Sequence, residues 1–251
     1  MARSVLIAVA GGVFTALGGC ASEPRWVATP VPESGAVGEN AREALKSRVA
    51  IATYNLANLD TPGFKPTIVL GHDEDGHLVM EIATERGTPV LSERPLDLCI
   101  NGDGFFRVRG DEGCFYTRCG RFTRNGEGEV VMAVPPYLRL EPSITIPYET
   151  TGITIDAKGI VTITMAGYED TAEVGQIQLT TFPSPGALKR VSTQLFQETP
   201  GTGPAVDFSP GVATSLLQNF YESSAVDPAR ELAAIERAYR QLPLWSWVAS
   251  K

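Results

Sequence analysis

The stretch Leu45-Lys46-Ser47-Arg48-Val49-Ala50-Ile51-Ala52-Thr53-Tyr54-Asn55-Leu56-Ala57-Asn58-Leu59-Asp60-Thr61-Pro62-Gly63 decides the architecture. Within it Leu45, Val49, Ala52, Leu56 and Leu59 recur at spacings of 4, 3, 4 and 3. That is the apolar seam one helix needs to pack along another. Asn40 with Glu43 three residues on reads as an N-cap and its partner. Pro62 cannot continue the helix and Gly63 supplies a turn. A second seam, Leu232, Ile235, Tyr239 and Leu242, follows Asp227-Pro228, a cap with Pro at the first helical position, and predicts a helix over 228–242. Periodicity alone leaves two arrangements open: the seams bury each other, or each helix packs separately on what lies between.

What lies between has a different texture. Short β-branched runs such as Leu78–Ile82, Phe105–Arg109, Ile160–Thr164 and Ile177–Phe182 alternate with turn residues. Gly110-Asp111-Glu112-Gly113 and Asn125-Gly126 read as hairpin turns. The expectation is an α+β chain, mainly β: residues 40–65 a helix and turn, 66–217 an antiparallel β domain, 218–251 a helix and short tail.

The 251 residues are 43% hydrophobic and 20% charged, which is globular composition. With 29 acidic against 21 basic residues the formal charge is −8, so duplex nucleic acid is a poor partner. Residues 1–19 read as a lipoprotein-type signal: Arg3, a 13-residue apolar run from Val5 to Leu17, then Gly18-Gly19-Cys20. The run is too short to span a bilayer. Cys20 is the expected lipidation site, with an ordinary secretory signal and an incidental Cys as the rival. Residues 20–39, with Pro24, Pro30 and Pro32, read as a tether. This places the mature chain in the periplasm, anchored at the outer membrane.

No nucleophile–base pair, catalytic carboxylate pair or phosphate loop can be nominated. His72-Asp73-Glu74-Asp75-Gly76-His77 is read as a solvated hairpin turn, not a metal site, because no Ca-loop spacing follows. Asn101-Gly102-Asp103-Gly104 lacks the Lys-Ser/Thr of a phosphate loop and is read as a tight bend before Phe105 and Phe106, one of which should enter the core. The expectation is a non-enzyme with no cofactor, no metal and no small-molecule substrate. Cys114 and Cys119 lie roughly 16 Å apart if extended, too far to bridge. Cys99 can pair with either across a sheet, or all three stay buried thiols. Trp245 and Trp247 in the tail either meet a membrane interface or cover the protein's own apolar surface.

Three segments resemble the flagellar hook and basal-body rod family: Asn55 through Lys65; Leu96 through Phe106 with Tyr116-Thr117-Arg118 and Gly120-Arg121-Phe122; and Glu231-Leu232 with Arg237-Ala238-Tyr239. Pro142–Pro147, Val174–Phe182 and Phe208–Gly211 look most like its distal-rod branch. The resemblance implies a structural component of the flagellar basal body, acting in motility. The terminal helices would join as a coiled-coil polymerisation layer beneath an outer β layer. It implies an assembly interface of Leu45, Val49, Ala52, Asn55, Leu56, Asn58, Leu59, Leu232, Ile235 and Tyr239. Gly63, Asn101, Gly102 and Gly104 would be structural turns. Asn55 and Asn58 would satisfy neighbouring backbone groups or a partner subunit. Partners would be other rod or hook subunits, or copies of the chain. The alternative is a lipid-anchored periplasmic scaffold that uses the β domain outside the rod. Two features depart from the family: the signal segment, and a last helix that Pro243 ends early, in a region about three residues shorter than the rod pattern.

Overall fold

The computed structural model describes residues 41–73, 78–168 and 170–241. Helix α1 (Ala41–Ala57) and helix α2 (Pro228–Gln241) bracket strands whose described pairings are all antiparallel. The fold is α+β and mainly β. Among the described residues no helix is long and apolar enough to cross a membrane.

The largest sheet is organised by the strand Phe105–Gly110. It pairs with Gly113–Thr117 through the turn Asp111-Glu112, with Arg139–Glu141 on its other side, and with Leu179–Thr181 near its start. Strand alternation sends Phe106 and Val108, both 0% exposed, into the main core with Phe122, Met132 and Leu140. Phe105 points the other way, into a second cluster with Tyr116, Phe182 and Phe196. Its ring meets Phe182 edge-on at 6.2 Å, and Tyr116 meets Phe182 at 4.7 Å. Both phenylalanines are therefore buried, where the sequence called for one. Each is worth about 1.5–3 kcal/mol of burial. A three-stranded sheet, Thr150–Ile155, Ile160–Met165 and Thr171–Gln176, closes the main core with Ile155, Val161 and Ile163.

Three two-stranded pairs join this body to the helices. Thr67–His72 pairs antiparallel with Leu78–Ile82; of the His72–His77 stretch expected to turn between them, residues 74–77 lie outside the described ones. Leu98–Asn101 pairs with Ser215–Gln218, and Pro89–Leu91 with Phe220–Glu222. Strand structure thus continues past residue 217, into the segment expected to hold only a helix and tail.

α1 packs against α2 and against the strand Thr67–His72. The seam differs in detail from the expected one. Ala52 is fully buried, and so is Ile51, which the seam omitted; Leu45, Val49 and Leu56 are half-buried. Leu59 lies beyond the helix end, in a turn, and is 39% exposed. On α2 the stripe is shifted by one residue. Glu231 and Ala238 are buried and Ile235 half-buried, whereas Leu232 (57%) and Tyr239 (42%) are exposed. Seven residues separate Glu231 from Ala238, two helical turns, so both lie on the face toward α1. Asp227 caps α2 through its Oδ1, which accepts from Ala229 N at 2.9 Å. Asn40 and Leu242 lie outside the described residues, as do Cys20, the tether, Trp245 and Trp247.

The thiols of Cys99, Cys114 and Cys119 are free, so the disulfide option closes. Cys119 faces the main core, and burial pushes its thiol up to about 11.

Each residue from Pro62 to Lys65 is held. Gln194 Nε2 donates to Pro62 O (2.7 Å), Gly63 N to Glu222 O (2.7 Å), Ala225 N to Phe64 O (3.0 Å), and Arg190 to Lys65 O. Gly63 has φ 67, and a Cβ there would lie 2.4 Å from the backbone N of Cys119. Gly63→Ala should therefore cost about 2–3 kcal/mol and lower the thermal midpoint by several degrees. An unchanged midpoint would show that a side chain fits this turn.

Candidate assembly interface

The candidate site is the junction where the ends of the β domain meet the helix pair, together with the helix surfaces beyond it. At its centre is Glu222, 1% exposed, on the strand Phe220–Glu222. Lys65 Nζ lies 2.8 Å from its Oε1, and Gly87 N donates to the same oxygen at 2.9 Å. Arg118 Nε and Nη2 both reach Oε2 at 2.6 Å. Lys65 and Arg118 are as deeply buried, at 2% and 3% exposure. Neither cation depends on the carboxylate alone. Lys65 Nζ also donates to Glu85 O at 2.5 Å. Arg118 Nη1 donates to Gly102 O (3.0 Å) and Gly104 O (2.7 Å), and Nη2 to Ile100 O (3.0 Å).

Burial pulls the Lys65 ammonium below its usual value; the Glu222 charge opposes that and the Arg118 charge adds to it. Cys99, buried in the strand Leu98–Asn101, feels all three of these charges. Burial first, then the Glu222 charge, pushes its thiol up to about 11, against the two cations. The arrangement is an electrostatic tie. A cleft of about 380 Å³ opens beside it, lined by Arg86, Asp103, Phe105 and the two cations. The Arg118 donors are nevertheless spent on Glu222 and on backbone carbonyls, and Lys65 is held by Glu222 and Glu85 O.

The expected turn Asn101–Gly104 is what Arg118 holds. Gly102 (φ 142) and Gly104 (φ 116) expose their carbonyls to the guanidinium, and a Cβ on Gly102 would lie 2.5 Å from Thr214 Oγ1. Asn101 ends its strand and is exposed. Beside the tie, Arg190 lies over the rings of Phe64 (4.6 Å), Phe196 (5.0 Å) and Tyr54 (5.9 Å). Burial lowers its guanidinium to about 10, so it stays a cation at neutral pH.

Asn55 and Asn58 serve their own chain. Asn55, 0% exposed, donates from Nδ2 to Thr67 O (2.8 Å) and accepts at Oδ1 from Thr67 N (3.0 Å), pinning α1 to the first strand. Asn58 Nδ2 donates to Tyr54 O (2.8 Å), and its Oδ1 accepts from Thr61 Oγ1 (3.1 Å). Across the helix pair Glu231 meets Asn55. Burial raises the Glu231 carboxyl, against the Asn55 hydrogen bond and the Arg230 charge. The helix contact is thus favoured by protonation, and that contribution fades as pH rises above the ordinary carboxylate range.

Lys65, Arg118, Glu222, Arg190 and Glu231 all escaped the sequence reading. Isolated charges in a 20% charged chain look solvated. The only signal was that Lys65, Arg118 and Glu231 stand inside the quoted motifs, with no role read for them there.

Comparison with known proteins places these motifs. Residues 36–65 match the family model described as flagella basal body rod protein, and residues 99–163 that of the flagellar hook protein FlgE/F/G D1 domain. The flagellar basal-body rod protein FlgG of Caulobacter vibrioides is 34% identical over 238 residues, covering 82% of this chain and 90% of that protein. The chain belongs to the flagellar hook and basal-body rod protein family.

Other members of the family agree. FlgF of the same organism is 30% identical over 227 residues (82% and 89% covered), and FlgG of Borreliella burgdorferi is 31% identical over 199 (74% of each). All three are basal-body rod proteins by name, and the scaffold alternative finds no support among them. The first rod match ends at Lys65, the residue that enters the tie, and the second spans Arg118.

Glu222→Gln should leave two buried cations uncompensated and cost about 3–5 kcal/mol, read by urea unfolding. Adding Lys65→Met to that variant should recover part of the loss. If Glu222→Gln unfolds at the parent midpoint, the tie is not stabilising.

Proposed function

We propose that the chain is a structural component of the bacterial flagellar basal body that works through subunit packing. Family membership across most of the chain carries this reading. The surface of the helix pair supports it. The residues the two helices bury include Ile51, Ala52, Asn55, Glu231 and Ala238, with Asn55 meeting Glu231 between them, while Leu59, Leu232 and Tyr239 stay exposed. Apolar side chains left outside a helix pair suit burial by neighbouring helices, as in a coiled-coil layer formed between subunits. Its partners would then be other rod or hook subunits or further copies. Leu45, Val49 and Leu56, half-buried here, would complete the seam on assembly.

Leu232→Asp tests this without touching the core, because Leu232 is 57% exposed. The variant should keep its circular dichroism spectrum and unfolding midpoint but vanish from purified hook–basal bodies. Co-purification at the parent level would remove Leu232 from the interface. Absence of the parent chain from such preparations would remove the rod role.

The second part of the proposal is that Cys20 is lipidated and holds the mature chain at the periplasmic face of the outer membrane. The apolar run, the small residues before Cys20 and the Pro-containing tether support it. Acyl chains contribute about 0.8 kcal/mol per buried methylene, so several anchor firmly. Metabolic labelling with a fatty-acid probe should mark the parent and not Cys20→Ser. An unlabelled parent in the soluble periplasmic fraction would end this part alone.

A further inference from the structure

The tie leaves a charge unbalanced. It sets two buried cations, Lys65 and Arg118, against one buried carboxylate, Glu222, so it holds one positive charge in excess. Excess charge away from water is costly unless an opposite charge comes near. Burial holds the Lys65 ammonium below its usual value, as befits a cation short of compensation. An ammonium has three donors, and Lys65 turns them on Glu222 Oε1 and Glu85 O, which leaves one unclaimed among the described residues. Both cations line the cleft of about 380 Å³, so a ligand there reaches them directly.

The cleft also presents both signs of charge near solvent. Arg86 and Asp103 line it and are exposed, and neither side chain has a hydrogen bond or ion pair among the described residues. Phe105 and Pro185 add apolar wall to the same space. Ligand sites commonly combine such walls with a few convergent polar groups, in roughly 300–1,000 Å³. A simple anion would suit Lys65 and Arg86 but be repelled by Asp103, and a simple cation meets the reverse problem. A small ligand with both charges answers all three.

We propose that the cleft binds a zwitterionic α-amino acid with an apolar side chain. Its carboxylate takes the free Lys65 donor and the Arg86 guanidinium, its ammonium meets Asp103, and its side chain lies on Phe105 and Pro185. Arg118 keeps its present partners and contributes charge alone. This goes beyond a packing role. The ligand supplies an anion where the junction lacks one, so occupancy stiffens the seat of the helix pair.

Calorimetric titration of the full-length chain tests it with L-leucine and with its two halves, isocaproate and isoamylamine. Leucine should bind, and each half-ligand should bind about tenfold more weakly or worse. Saturating leucine should raise the thermal midpoint. Arg86→Gln should weaken leucine and isocaproate alike, by about tenfold. Asp103→Asn should weaken leucine by a similar factor yet leave isocaproate unchanged or tighter, because a repelling charge is gone. Both side chains are exposed, so the unliganded midpoint should stay at the parent value in each variant. Absence of leucine binding overturns the proposal. So does a half-ligand that binds as tightly as leucine, or a leucine affinity that neither variant changes. These measurements use the isolated chain, so their failure is distinct from failure to appear in basal bodies or to label at Cys20.

Discussion

One buried carboxylate organises this molecule. Glu222 sits at 1% exposure between Lys65 and Arg118, and taking three charges out of water is costly unless each is met on several sides. Here each is. The carboxylate receives Lys65, Arg118 and Gly87 N, and the two cations turn their remaining donors on the carbonyls of Glu85, Ile100, Gly102 and Gly104. Such a network tolerates little displacement, because any shift strands a charge in a low-dielectric interior. It therefore fixes where the exit from α1, the Asn101–Gly104 bend and the last strand stand relative to one another.

The helix pair follows from that placement. Pro62 through Lys65 are gripped by Gln194, Glu222, Ala225 and Arg190, so α1 leaves the β domain along a set direction. Asn55 then reads the backbone of Thr67 in both directions and offers its amide to Glu231. A polar contact buried between helices sets their register, because sliding by one residue would leave amide and carboxylate unpaired. The helix pair buries Ile51, Ala52, Asn55, Glu231 and Ala238, while Leu232 and Tyr239 turn outward. That outward turn makes the pair suitable for lateral association.

Much of this was legible in the sequence. Period-3.5 seams and capping residues located both helices, and alternation with turn chemistry located the β domain; these are local signals. The phase of α2 was not legible. A hydrophobic pattern selects Leu232 over Glu231, whereas the structure buries Glu231 and exposes Leu232, and only the partner Asn55 explains the choice. Phe105 likewise reads as the solvent side of a half-buried strand until a second cluster is found on that side. Lys65, Arg118 and Glu222 were invisible as a set, since nothing local says that charges far apart in the chain will meet.

That separation has a kinetic consequence. Lys65 and Glu222 are 157 residues apart and Arg118 and Glu222 104 apart, so the tie closes very long loops. Loop closure of this kind is slow, and its entropy must be met before any of its contacts form. During synthesis from the N-terminus the two cations emerge long before their carboxylate does. Until the strand Phe220–Glu222 pairs with Pro89–Leu91 the junction cannot lock. The polypeptide therefore stays unlatched, and fit for passage through a narrow translocation pore, for most of its time as a nascent chain.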